Sequence, residues 1–66
     1  MTIVINGESR DVPAPVSLEG LIDLLGLRGD RVAVELNHEI VRKDRWAAVQ
    51  LRDRDRLEIV HFVGGG

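Results

Sequence analysis

Apolar residues follow a helical period in one stretch of this chain. Leu18, Leu21, Ile22 and Leu25 fall on a single stripe, and Leu24 widens it. Ser17 offers an N-cap, and Glu19 sits in the first turn, where the helix dipole favours an acid. Gly26 suits the position just past the helix end, with Leu27 to supply the accompanying apolar contact. Gly20 weakens the helix by about 1 kcal/mol relative to alanine and marks close packing. The spacing predicts one helix over residues 18–25. A lone helix must bury its stripe against another layer, so the rest of the chain has to supply a sheet.

The remaining apolar runs read as strands. Thr2-Ile3-Val4-Ile5 is β-branched throughout, and Asn6-Gly7 after it is a strong hairpin signal. A two-residue turn there sets Glu8 opposite Ile5 and Arg10 opposite Ile3. That conflict predicts either a longer loop or an edge strand whose charges reach solvent. Pro13-Ala14-Pro15 closes the hairpin. Residues 31–36 alternate, with Val32, Val34 and Leu36 on one face. Asn37-His38 is a turn before the short run Glu39-Ile40-Val41. Trp46-Ala47-Ala48-Val49 reads as a short helical turn, and Leu57 to Val63 is the last strand. The first and last strands are the most apolar, which places them together in the sheet centre. The fold class is α+β: a mixed sheet of four to five strands with one main helix on one face. Residues 1–63 form one domain and residues 64–66 a tail.

Composition excludes several functions. The net charge is −2, without the basic stripe of a nucleic-acid binder. No apolar run approaches a membrane span, and no secretory leader is evident, so a soluble cytoplasmic protein is expected. There is no cysteine, and His38 and His61 lack ligand spacing, so no metal site is expected.

Along the last strand, Leu57, Ile59, His61 and Val63 share one face, and Glu58, Val60 and Phe62 the other. Glu58 belongs in solvent, so Val60 and Phe62 point outward, beside Val4 if the first strand is adjacent. Two readings of that strip stand: a docking surface, or a twisted strand end where Phe62 covers a core edge. His61 has no orienting partner for general-base work. Trp46 reads as a cap on the core, and Arg52-Asp53-Arg54-Asp55-Arg56 as a solvated turn.

The chain then runs into Gly64-Gly65-Gly66. Glycines of this kind serve either as a frayed end or as an arm whose carboxylate enters a narrow cleft that side chains would block. Ordering three residues costs roughly 3–6 kcal/mol of backbone entropy, which docking of the folded body has to offset.

A single-helix mixed sheet ending in Gly-Gly resembles the ubiquitin-like β-grasp. Over essentially all 66 residues the chain is similar to the ThiS family of sulfur carriers of thiamine biosynthesis. The stretches that carry the likeness are Ile3-Val4-Ile5-Asn6-Gly7, Val32-Ala33-Val34-Glu35-Leu36-Asn37 with Glu39-Ile40-Val41, Trp46, and Leu57-Glu58-Ile59-Val60 to Gly66. Arg42 stands where the family often has proline, and Arg54-Asp55 where it often has Gly-Asp.

The resemblance implies a protein co-substrate that is not itself an enzyme. Its Gly66 carboxylate is adenylated by a partner enzyme using ATP and Mg²⁺, and the chain binds no cofactor of its own. Sulfur from a persulfide donor then turns Gly66 into a thiocarboxylate that supplies thiazole synthase. Gly64, Gly65 and Gly66 enter the partner's active site, and Val4, Val60 and Phe62 dock. The alternatives are the small subunit of molybdopterin synthase, a ubiquitin-like protein modifier, and a plain interaction module.

Overall fold

The computed structural model describes residues 1–62. Strand β1 (Thr2–Ile5) turns at Asn6-Gly7, both at positive φ (50° and 83°), into β2 (Glu8–Asp11). The turn is the tight two-residue one, and it does pair Ile5 with Glu8 and Ile3 with Arg10. The conflict resolves at the sheet edge. Every residue of β2 is exposed, so its charges bend to water while Ile3 and Ile5 are buried.

Helix α1 (Leu18–Leu24) starts at Ser17, whose Oγ accepts from the Gly20 N–H at 2.9 Å. It ends in a Schellman motif: Gly26 (φ +72°) donates to the Asp23 carbonyl and Leu27 to that of Ile22. Leu18, Leu21 and Ile22 are buried, and Leu25 packs partly on the core. Leu24 departs from expectation. It is exposed: three residues past Leu21 turn the helix by about 300°, so Leu24 falls about 60° beyond Leu21, at the solvent edge of the stripe.

A 3₁₀ turn (Gly29–Arg31) leads into β3 (Val32–Leu36), which pairs antiparallel with β4 (Glu39–Val41) across Asn37-His38. A 3₁₀ helix (Lys43–Ala48) follows, and β5 (Arg56–His61) completes a five-stranded mixed sheet in the order β2-β1-β5-β3-β4. As expected, β5 lies beside β1 in the sheet interior, and the structure shows that it runs parallel to β1. The core lies between one sheet face and α1. Ile3, Leu18, Leu21, Ile22, Val34 and Leu57 fill it. Trp46 lies in the same core, 2% exposed, and its Nε1–H donates to the Val41 carbonyl at 2.9 Å.

The 52–56 turn is more than a solvated run. The Asp53 carboxylate accepts from the Thr2 N–H, and that of Asp55 from the Arg52 N–H and the Asn37 Nδ2–H. Arg54 stands at φ +70°, a conformation that glycine adopts without steric cost.

Candidate functional site

The glycines to which the family resemblance assigns the chemistry, Gly64, Gly65 and Gly66, lie outside the described residues together with Val63. What the structure does describe is the strand that leads into them. On the β1 side of β5, Val4 N–H donates to the Asp55 carbonyl and Asn6 N–H to the Leu57 carbonyl, each at 2.9 Å. There β1 turns away. The Asn6 side chain continues the ladder in its place: its Oδ1 accepts from the Ile59 N–H at 2.7 Å, and its Nδ2–H donates to the Ile59 carbonyl at 3.1 Å. On the other side, β3 pairs as far as Val32 with His61, and Phe62 N–H donates to the Arg31 carbonyl at 2.8 Å. The strand is therefore held on both sides as far as Ile59, and on the β3 side alone from there to Phe62, the last described residue.

The outer face of the sheet is the second component. Alternation sends Val60 and Phe62 outward, and they are 59% and 58% exposed. Ala33 sits directly opposite Val60, and Ile40, 77% exposed, pairs with Glu35 one strand further out. These residues form an apolar strip toward the C-terminal end of β5. Val4 does not join it as expected. The parallel register sets Val4 level with Arg56, four residues short of Val60, or roughly 13 Å along the strand. Val4 is half-buried there. Ile40 takes its place in the strip.

His61 ends β5 on the helix-side face, exposed, beside an open hollow that it shares with Asn6 and Arg10. Among the described residues it makes no side-chain hydrogen bond, so no orienting partner readies it for proton transfer. The described residues likewise hold no cluster of three metal-ligating side chains. None of their helices is long and apolar enough to cross a membrane.

Sequence reasoning missed Ile40 and Asn6. Ile40 carried no signal beyond a short strand. Asn6 read as a turn residue, and the reach of its amide to Ile59, fifty-three residues away, exists only in the fold.

Comparison with known proteins adds an independent line. The model of the ThiS family matches residues 3–66. The whole chain is 50% identical to part of a thiazole synthase of Paramagnetospirillum magneticum, and it spans 20% of that protein's length. The sulfur carrier protein ThiS of Bacillus subtilis is 48% identical over 50 residues, 76% of each chain. The crystal structure of the thiamine biosynthesis protein ThiS from Geobacter metallireducens superposes with a TM-score of 0.86 at 29% identity, covering all of both chains.

Proposed function

The chain belongs to the ThiS family, and from that premise we propose that it is a cytoplasmic sulfur carrier whose Gly66 carboxylate is the reacting group. A carboxylate is a poor electrophile. Attack on the α-phosphate of Mg·ATP, on a partner enzyme, releases pyrophosphate and makes an acyl-adenylate with AMP as leaving group. A persulfide then attacks the carbonyl and expels AMP. Cleavage of the resulting acyl disulfide by a second thiol leaves the thiocarboxylate on Gly66. The carrier needs no cysteine, because the sulfur resides on the carbonyl carbon.

This chain's own contribution is mechanical. Asn6 bonds to Ile59 and Arg31 to Phe62, which fixes β5 up to the last described residue. The strip of Val60, Phe62 and Ile40 supplies apolar area for docking, and docking offsets the ordering of the glycines. Thiazole synthase is the proposed sulfur recipient, supported by the likeness to a segment of proteins of that name.

The observation that carries the reading is that the family match runs through the tail, to residue 66. The test is the intact mass of the 66-residue chain after incubation with its adenylating enzyme, ATP, Mg²⁺ and a persulfide donor. The expected shift equals one oxygen replaced by sulfur, localised to Gly66 by fragmentation. Lysine-linked adducts with no such shift would instead identify a protein modifier.

A further inference from the structure

Glu35 and Glu58 stand directly opposite each other across the antiparallel β3·β5 pair. Both belong to the outer face, because Val34, Leu57 and Ile59 beside them fill the core side. Opposed side chains in such a pair have Cβ atoms roughly 4.5–5.5 Å apart, and like charges so placed destabilise a sheet. The ion pairs among the described residues are Arg28–Asp30, Arg42–Asp44 and Arg54–Asp53, and they involve neither glutamate. Arg56, two residues before Glu58 on the same face, also makes no ion pair with either.

Glu35 and Glu58 help line a hollow of about 90 Å³, whose other walls include Ala33, Ile40 and Val60. Apolar walls with two acids on one rim match a single kind of protein side chain. A long aliphatic stem lies along Ile40 and Val60, and a cationic head meets Glu35 and Glu58. A guanidinium fits best, since its fork of N–H donors can engage both carboxylates. A partner's cation would also relieve a repulsion that this chain bears alone.

We propose that this hollow receives an arginine or lysine presented from an apolar surface of the adenylating enzyme. The apolar strip gives burial, and the acidic pair selects the partner and its register. The inference rests on the carrier reading, because it names what the docking face recognises.

The test is Glu35→Gln with Glu58→Gln, which keeps shape and removes charge. In ATP–pyrophosphate exchange with the adenylating enzyme, KM for the carrier should rise about tenfold with kcat unchanged. The wild-type KM should climb with salt and the variant's should not. Thermal melting separates this from a structural role. Removing the repulsion should raise Tm by about 1–5 °C, whereas a structural role would lower it. A KM within about twofold of an active wild type, or a KM rise that tracks a fall in Tm, overturns the proposal and leaves the carrier reading standing. A wild type that supports no exchange removes both.

Discussion

The two hydrogen bonds from Asn6 to Ile59 are the contacts through which a turn residue governs the strand that leads to the glycines. Both are partly buried, so each contributes about 0.5–1.5 kcal/mol, or about 1–3 kcal/mol together. The substitution that isolates them is Asn6→Gly, because glycine keeps the φ of +50° without strain. It should lower Tm by at least about 4 °C in a chain of this size. Asn6→Ala should cost roughly 1 kcal/mol more, the penalty of a Cβ in the left-handed region. Asn6→Asp keeps the acceptor for the Ile59 N–H but turns a carboxylate oxygen toward the Ile59 carbonyl. It should therefore also lower Tm, and it separates loss of the Nδ2–H bond from loss of the bond to the Ile59 N–H. Amide exchange gives the local readout: the Ile59 N–H should lose protection more than the core of β5 does. If Asn6→Gly stays within about 0.5 kcal/mol of wild type, the level of an ordinary surface change, and Ile59 stays protected, the side-chain continuation of the ladder is wrong.

Phe62→Ala should cost only about 1 kcal/mol, since the side chain is 58% exposed, yet raise KM for adenylation several-fold; a loss of about 3–5 kcal/mol in chemical denaturation would make Phe62 a core residue. Trp46→Phe should destabilise by about 1–3 kcal/mol in the same assay, because the Val41 carbonyl loses its indole donor. Arg54→Gly should raise Tm by a few degrees: relief of the left-handed residue, about 1–2 kcal/mol, exceeds the added chain entropy of glycine, about 0.5–1 kcal/mol, and a lowered Tm would contradict this. Deleting Gly66 should abolish pyrophosphate exchange and leave Tm unchanged; normal exchange by the shortened chain would remove the tail from the mechanism.

The helix and its caps were legible because their determinants are local. Ser17, Gly26 and Leu27 act within a few residues of where they stand: Ser17 caps the helix, Gly26 takes the left-handed position past its end, and Leu27 packs against the core. The adjacency of β1 and β5 inside the sheet was legible from the apolar residues of the two runs, although β5 also carries Arg56, Glu58 and His61. What the sequence concealed depends on register. Alternation alone puts Val4 and Val60 on the same face, but the parallel offset between β1 and β5 separates them, and no local rule states that offset. Leu24 shows the limit of a stripe. A residue at the margin of an apolar arc is buried only if a neighbour reaches it, and none does here. The role of Asp53 and Asp55 in the turn was hidden for the same reason, since their partners Thr2 and Asn37 are distant in sequence.

Where the fold obeys every local rule, it explains only itself; its departures from those rules are what the proposed docking has to account for. A sheet face left to solvent should be polar, and β2 complies, with charged or polar residues throughout. The outer face of β3, β4 and β5 does not. Ile40, Val60 and Phe62 are large, apolar and exposed, and two glutamates face each other among them. Neither feature helps the isolated chain, for exposed apolar surface invites aggregation and opposed like charges cost stability. Both become favourable together when an apolar, cationic surface covers them. The proposed docking would account for two defects that packing alone does not explain, and the face it would cover adjoins Phe62, the last described residue.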